Sequence, residues 1–283
     1  MKISALVGVA GLAAFALSAP AFAALPANDN AEDAAAYVTP NSWAFGSNGG
    51  TGWAPWNIQN NNGAAPFTGS FLANNAGNGD LDDVDTPPHA WGSYANGTGV
   101  QKFAAYRQLT GDGLFVSQNL VNGQSITIFH ENGDIQGGGY AGVHFGPTAV
   151  GSLDPFAGGT VGALNGQASF GFFGGDNNYK IVDALGTLDT GIPWSNRGFA
   201  VTFTLINQNT GQYTMSITRL SDSANFVFPN RQVNGGIFGI GLFNYDTEFG
   251  NVYWNSVSIV PTPGSAALLG LAGLCGLRRR RQA

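Results

Sequence analysis

The sequence predicts an all-β fold, an antiparallel two-sheet sandwich of the jelly-roll type. Glycine accounts for 43 of the 283 residues and aromatic residues for 12%, whereas charged residues make up only 10%. Short apolar and aromatic runs end repeatedly in Gly, Asn or Asp, which is typical of short strands joined by turns. No stretch of the body keeps an apolar period of 3.6 residues, so helices are minor. A β-barrel is the alternative, although the sustained lipid-facing alternation of an outer-membrane barrel is absent from the sequence.

Residues 1–23 are predicted to be a cleaved secretory signal. Lys2 supplies the positive start, the stretch from Ile3 to Leu17 is apolar, and Ala21 and Ala23 satisfy the small-x-small rule for cleavage after residue 23. The apolar run is shorter than the roughly 20 residues of a spanning helix, which argues against a permanent anchor. Residues 24–37 are small, acidic and contain proline, and we expect them to form a flexible lead-in to the body.

The C-terminal residues 261–283 form a second predicted signal. A proline-rich break at Pro261, Pro263 and Gly264 precedes an apolar run over residues 266–277. As a helix this run spans roughly 18 Å, which is short of the hydrocarbon core of about 30 Å, so we expect transient membrane contact. Four arginines follow the apolar run, and we expect them to stay on the cytoplasmic side: Arg278, Arg279, Arg280 and Arg281.

This tail resembles the PEP-CTERM sorting signal of bacterial exported proteins. Thr262 stands where the family has the glutamate of its Pro-Glu-Pro motif. The resemblance implies an exosortase-type sorting enzyme as a partner, and a final location at the bacterial cell surface or in the extracellular matrix. A retained short membrane tail is the alternative.

Residues 38–260 are predicted to form the β-sandwich. The clearest pair is the hairpin of Phe199–Ile206 and Gln212–Arg219, in which apolar and polar residues alternate on both sides of a turn. The other strands with clear signals are Gln101–Leu109, Ser125–His130, Gly139–Phe145, Ala168–Phe173, Ile237–Phe243 and Asn251–Ile259.

The body also resembles an exported bacterial domain found in PEP-CTERM and related surface proteins. The likeness covers roughly residues 38–260. The residues that carry it are Gly49–Trp56, Ala90–Asn96, Tyr106-Arg107, Phe173–Tyr179 and the hairpin near 201–217. It implies a concanavalin-like or jelly-roll sandwich without an assigned activity.

Charge and cysteine content exclude several classes of partner. Five of the 11 basic residues lie in the two predicted signals, whereas all 17 acidic residues lie between them, which changes the net charge from −6 to −11 for the body. So acidic a surface repels nucleic acid and anionic lipid. The one cysteine, Cys275, lies in the tail, so the body has no disulfide framework and no thiolate zinc site.

Carbohydrate recognition is one candidate function, because sugar faces stack on aromatic rings while amide and carboxylate groups bind the hydroxyls. The candidate ligand-binding residues are Trp43, Trp53, Trp56, Trp91, Tyr94 and Tyr140. Packing in the core is the competing explanation for each of them. Exposure of two or more on one face would favour binding.

An acidic loop over residues 78–86 is the candidate cation site. Asp80, Asp82 and Asp85 alternate with other residues after a glycine, and Ca²⁺ prefers six to eight oxygen ligands. The loop lacks the central glycine and distal glutamate of an EF-hand, so a solvated acidic loop is the alternative. No cofactor other than this structural calcium is expected.

Catalysis is not indicated. Glu32, Glu131 and Glu248 do not form the Glu-x-Asp-x-x-Glu pattern of laminarinase-like hydrolases, and the three histidines have no nucleophile elbow or His-x-x-x-His pair beside them. The sequence therefore predicts a non-enzymatic, exported structural or adhesive protein. The alternative is a lectin-like module that binds extracellular polysaccharide, assisted by calcium, and a polysaccharide-active enzyme is the third possibility.

Overall fold

The computed structural model describes residues 27–61, 68–74, 89–96, 101–110, 119–146, 168–245, 247 and 250–260. The predicted secretory and sorting signals lie outside these ranges. Apart from a single π-helical turn at Ala34–Val38, the regular structure of the described residues is β-strand. Within these same ranges no helix is long and apolar enough to cross a bilayer.

Within the described ranges, fifteen strands form two antiparallel sheets, which confirms the all-β, two-sheet prediction. In chain order they are β1 (Asn28–Asp29), β2 (Asn57–Asn61), β3 (Thr68–Asn74), β4 (His89–Ala95), β5 (Lys102–Gln108), β6 (Ser125–Asn132), β7 (Tyr140–Gly146), β8 (Ala168–Phe173), β9 (Asn178–Asp183), β10 (Gly186–Pro193), β11 (Phe199–Asn207), β12 (Gln212–Arg219), β13 (Asn225–Gln232), β14 (Gly239–Tyr245) and β15 (Val252–Val260).

The larger sheet has the strand order β13-β12-β11-β6-β15-β4-β3, with β1 paired to β15. The smaller sheet has the order β10-β9-β8-β7-β14-β5-β2. The hairpin predicted from the alternating pattern is β11 and β12, in which Val201 lies opposite Ile217 and Phe203 opposite Met215. These four side chains are buried, because the period of two directs every second residue towards the core.

The two sheets pack face to face over one aromatic-rich core. Phe145 of the smaller sheet stacks on Phe203 of the larger sheet, with ring centroids 5.2 Å apart. Further along, Phe103 stacks on Trp254 at 6.2 Å. Rings of this size bury large apolar areas, and burial is the main term that holds the sheets together.

Residues 24–37 were expected to be a flexible lead-in, but from Ala27 onwards they are part of the packed body. β1 pairs with the last strand, and the amide of Ile259 donates to the carbonyl of Ala27 at 2.7 Å. Ala31 and Tyr37 are fully buried. The small residues that suggested mobility allow this segment to lie close against the sheet.

A buried ion-pair network joins the two sheets near the β9 and β13 edge. Arg231 on β13 donates from Nε and Nη2 to the two oxygens of Asp183 on β9, at 2.8 and 2.6 Å. Tyr213 on β12 donates its hydroxyl to Asp183 Oδ2 at 2.6 Å. The carboxylate therefore holds the smaller sheet to two strands of the larger one.

Candidate functional site

A cleft of about 480 Å³ lies on the outer face of the larger sheet, between the N-terminal segment and strands β6 and β15. This volume is within the range of small-ligand sites. One wall is formed by Asn28, Asp29, Asn30, Glu32, Asp33 and Gly50. The other wall is formed by Thr127, Phe129, Ser256, Val257 and Ser258.

Local sequence chemistry fixes the N-terminal wall. Asp33 caps the π-helical turn, accepting hydrogen bonds from the amides of Ala35 and Ala36 at 3.0 and 2.9 Å and from Gly50 at 3.2 Å. These N–H groups lower the pKa of Asp33, so its carboxylate stays charged at the mouth of the cleft. Gly50 has φ +69°, and a Cβ there would lie 2.0 Å from the carbonyl oxygen of Asn28, so this close approach requires glycine.

A β-bulge shapes the opposite wall. The pairing of β15 with β6 shifts register between Asn255 and Ser258, and Ser256 adopts φ +51°. The Asn255 side chain holds this geometry, since its Oδ1 accepts from the amides of Ala31 and Ser256 at 2.9 and 2.7 Å. Its Nδ2 donates to the carbonyl of His89 at 2.8 Å. Bulges and positive-φ residues of this kind often occur at binding sites.

Glu32 closes one end of the cleft by binding His89. Glu32 Oε1 accepts from the His89 amide at 2.6 Å and lies 2.9 Å from His89 Nδ1, while Oε2 lies 3.1 Å from the same ring nitrogen. Both side chains are about one-fifth exposed. The carboxylate is therefore held by two groups of β4, and it positions the N-terminal segment against this strand.

Asp29 connects the cleft to a buried network. Its carboxylate pairs with the guanidinium of Arg107 and accepts the hydroxyl of Tyr37 at 2.6 Å. Burial raises the pKa of Asp29 above its ordinary value, while Arg107 and Tyr37 act in the opposite direction. The Tyr37 oxygen also accepts from Trp56 Nε1 at 3.0 Å and from the amide of Gly49 at 3.2 Å.

Two of the tryptophans predicted to bind a ligand instead cover Arg107. The guanidinium carbon lies 4.9 Å from the ring centroid of Trp56 and 5.7 Å from that of Trp53. Arg107 Nε donates to the carbonyl of Ala54 at 2.9 Å. The segment Gly49–Trp56 therefore wraps around a buried cation.

Trp43 and Trp91 belong to the core as well. Trp56 makes edge contacts with both, at centroid distances of 5.4 Å to Trp43 and 5.1 Å to Trp91. All four predicted tryptophans have at most 5% of their surface exposed. They do not form an exposed platform for sugar stacking, because the two sheets need large side chains to fill the space between them.

The two predicted tyrosines lie on outer faces and not in the cleft. Tyr140 is buried between Phe173 and Phe243, with centroids 4.0 and 4.6 Å away. Tyr94 is half-buried beside Phe71, with centroids 6.4 Å apart. Neither ring is within a set of exposed, coplanar aromatics.

The proposed calcium ligands Asp80, Asp82 and Asp85 lie outside the described residues. Within the described ranges no group of three or more His, Cys, Asp or Glu side chains has a metal-binding arrangement. The carboxylates of the cleft are already engaged by Arg107, His89 and backbone amides. What the cleft offers a ligand is a set of amide, carboxylate and hydroxyl groups beside one aromatic ring, Phe129.

The sequence interpretation missed the cleft, since it assigned residues 28–33 to a mobile segment. One signal was present: Arg107 directly follows the apolar run Phe103–Tyr106 of strand β5, and a buried arginine needs a carboxylate partner. That partner, Asp29, lies 78 residues away in the sequence.

Neither a protein-family model nor a curated protein sequence matches this chain. Among solved structures, the globular domain of T. cruzi calreticulin is similar with a TM-score of 0.45 and 10% identity, over 78% of this chain and 90% of that chain. A carbohydrate esterase from the Shiga toxin-encoding bacteriophage phi24B has a TM-score of 0.41 and 15% identity, over 73% of this chain and 90% of that chain.

A structure of botulinum neurotoxin type C, whose cell entry depends on interaction with two ganglioside molecules, has a TM-score of 0.39 and 14% identity over 78% of this chain. The chain spans only 47% of that toxin chain. Likenesses this distant carry no argument about ligand or activity.

Proposed function

We propose that this protein is an exported, non-enzymatic surface protein that adheres to extracellular polysaccharide through the cleft between residues 28–33 and the β15 bulge. The observation that carries the proposal is the lining of the cleft, which combines amide, carboxylate and hydroxyl groups with the ring of Phe129. Such a set suits a ligand that presents many hydroxyls and one apolar face. We also infer a sandwich of the jelly-roll or concanavalin-like type, which the two packed antiparallel sheets support.

Binding without hydrolysis is supported by the state of the acidic side chains. A glycosidase needs one carboxylic acid and one carboxylate placed on either side of the scissile bond. Here Asp29 is paired with Arg107, Glu32 is held by His89, and Glu131 is buried in β6. Glu248 lies outside the described residues. Asp29 and Glu32 therefore serve as structural partners of Arg107 and His89.

Glycan binding can be tested with a glycan array and a matched pair of variants. Ser256→Gly removes a cleft hydroxyl at a positive-φ position where glycine is unstrained, and Ser223→Gly makes the same change at an exposed position with φ +59°. We expect the wild type and Ser223→Gly to bind the same polysaccharides, and Ser256→Gly to bind them several-fold more weakly. Absence of binding to every glycan by the wild type would refute adhesion through the cleft.

The delivery route is a further part of the proposal. The small residues Ala21 and Ala23 support signal cleavage, and the Pro261–Gly264 break with the arginine cluster supports exosortase-type sorting and transient membrane contact. Mass spectrometry of the surface form tests both steps. We expect a mature N-terminus after residue 23 and a C-terminus that lacks residues 278–283. An intact tail on the surface form contradicts processing.

Structural calcium at Asp80, Asp82 and Asp85 also remains a proposal. Carboxylates at this spacing support a site for a hard cation that fixes the loop. We expect EDTA to lower the melting temperature of the purified protein and Ca²⁺, but not Mg²⁺, to restore it. An unchanged melting temperature favours the solvated loop.

A further inference from the structure

The outer face of the larger sheet carries rows of hydroxyl groups that begin in the cleft. Thr127 and Ser258 line the cleft and are also opposite each other in the pairing of β6 with β15. In the same register Thr127 lies opposite Thr202 on β11, and Thr202 lies opposite Ser216 on β12. One line of hydroxyls therefore crosses four adjacent strands.

A second line runs beside the first. Ser125 on β6 lies opposite Thr204 on β11, one outward position further along each strand. We refer to these six residues, Ser258, Thr127, Thr202, Ser216, Ser125 and Thr204, as the hydroxyl face. Adjacent strands are about 4.8 Å apart, so the first line is roughly 14 Å long.

The hydrogen bonds within the hydroxyl face leave groups available to a ligand. The Thr127 and Thr202 hydroxyls are 2.9 Å apart, and those of Ser125 and Thr204 are 2.8 Å apart. Each pair uses one hydroxyl hydrogen internally, which leaves one donor and several acceptor lone pairs. Ser216 donates to Asn225 Oδ1 at 2.7 Å and so presents acceptors.

Charge favours an uncharged ligand on this surface. The outward positions of β11 and β12 between Ala200 and Thr218 hold no charged side chain. At the end of the face that lies in the cleft, the Asp33 carboxylate remains ionised. An anionic polymer is repelled there and gains no ion pair on the face, whereas a neutral polyhydroxylated chain can exchange hydrogen bonds with every strand.

We propose that an extended, uncharged polysaccharide chain occupies the cleft at one end and lies across the hydroxyl face towards Ser216. The inference rests on the proposed glycan-binding function and adds a substrate class, a direction across the strands and a length. Continuity supports it, because Thr127 and Ser258 belong to both surfaces. Affinity then increases with chain length until the ligand reaches β12.

The test measures the binding of size-fractionated uncharged oligosaccharides by isothermal titration calorimetry. The probes are β-glucan, mannan and galactan oligomers of two, four and six sugars, with mannuronate oligomers as the anionic set. The variants are Thr202→Val and Ser216→Ala on the face, Ser256→Gly in the cleft and, as a matched control, Thr187→Val at an exposed position of β10. Circular dichroism confirms the fold of each.

We expect at least one uncharged series to bind at least about tenfold more tightly as hexamer than as dimer, and the mannuronates to bind no more tightly with length. Thr202→Val should weaken the hexamer roughly fivefold and leave the dimer unchanged, whereas Ser256→Gly should weaken both and Thr187→Val neither. Binding that is independent of length, or of Thr202 and Ser216, refutes the hydroxyl-face inference but leaves cleft binding intact. Failure of every oligomer refutes both.

Analytical ultracentrifugation of the free protein tests for one other occupant of the hydroxyl face, a second copy of this chain. Association of two copies through this face, abolished by Thr202→Val and not by Thr187→Val, would overturn the assignment to a polysaccharide.

Discussion

Tyr213 donates a 2.6 Å hydrogen bond to the same Oδ2 atom of Asp183 that Arg231 Nε binds at 2.8 Å. The same three residue types meet near the other side of the sandwich, where Tyr37 donates to Asp29 Oδ2 at 2.6 Å and Arg107 pairs with it. In each case the carboxylate and the arginine belong to different sheets. Two tyrosine–aspartate–arginine networks therefore fasten the sheets at separated strands.

Removing the Tyr213 hydroxyl should destabilise the fold. Tyr213→Phe removes a short hydrogen bond to the buried Asp183 carboxylate, and we expect the free energy of unfolding to fall by about 2 kcal/mol. Urea denaturation provides the measurement. The exposed pair of Arg219 and Asp222 is the control, since Arg219→Gln should leave the transition midpoint unchanged. A shift for Arg219→Gln as large as for Tyr213→Phe would contradict the burial argument.

Arg107→Met should be more damaging, because it leaves the Asp29 carboxylate buried without its cation. We expect a loss of about 3–5 kcal/mol in the free energy of unfolding. The double variant Asp29→Asn/Arg107→Met should recover part of this loss, since no charge is then left unpaired. If the double variant is less stable than Arg107→Met alone, the cost does not arise from the unpaired charge.

Stability should depend on pH through His130, which is buried and stacked on Trp254 with ring centroids 6.0 Å apart. Burial lowers the pKa of His130 from 6.5 to about 3. Between these values the unfolded chain binds a proton that the folded protein does not, so stability falls as the pH decreases through this window.

His130→Phe keeps a ring against Trp254 and removes the titrating group. From pH 7 to pH 5, the free energy of unfolding of the wild type should fall more steeply than that of His130→Phe, by up to about 1 kcal/mol per pH unit. Urea titrations at several pH values measure both slopes. Equal slopes would show that His130 takes up its proton in both states.

Tryptophan fluorescence should distinguish the one partly exposed tryptophan from the five buried ones. Trp194 is 39% exposed, whereas Trp43, Trp53, Trp56, Trp91 and Trp254 are at most 5% exposed. We expect iodide to quench a minor fraction of the emission, and Trp194→Phe to abolish this accessible fraction. Substantial quenching that persists in Trp194→Phe would place one of the other five indoles at the surface.

The sequence predicted the strands with a strong apolar signal, which alternates with polar residues in β11 and β12 and is nearly continuous in the buried strands β7 and β14. β8 and β12 have the predicted bounds, and β5, β6, β7, β11, β14 and β15 differ from them by at most two residues. β10 and β13 were missed because they are edge strands, and most of their residues are half-buried or exposed whichever way they point. An alternating pattern of apolar and polar residues arises where one face of a strand is covered by the core and the other is exposed, and these two edge strands have no such fully covered face.

The cleft could not be predicted in the same way, because its walls are far apart in the sequence. The bond from Ala31 to Asn255 spans 224 residues, and the bulge at Ser256 is a property of the pairing rather than of the local residues. The aromatic prediction failed for a related reason. Trp53 and Trp56 follow glycines that lie in close contact with residues 27–29, and in this packed segment the two indoles cover Arg107.

The pairing of β1 with β15 has a consequence for the order of folding. The Ala27 carbonyl and the Ile259 amide are 2.7 Å apart, so the first described segment of the chain pairs with its last described strand. A chain that is synthesised from its N-terminus cannot complete this sheet, or the cleft beside it, until β15 has followed. The N-terminal segment can pair with Thr51 before then, but its pairing with β15 must wait, which makes the cleft a late feature of assembly.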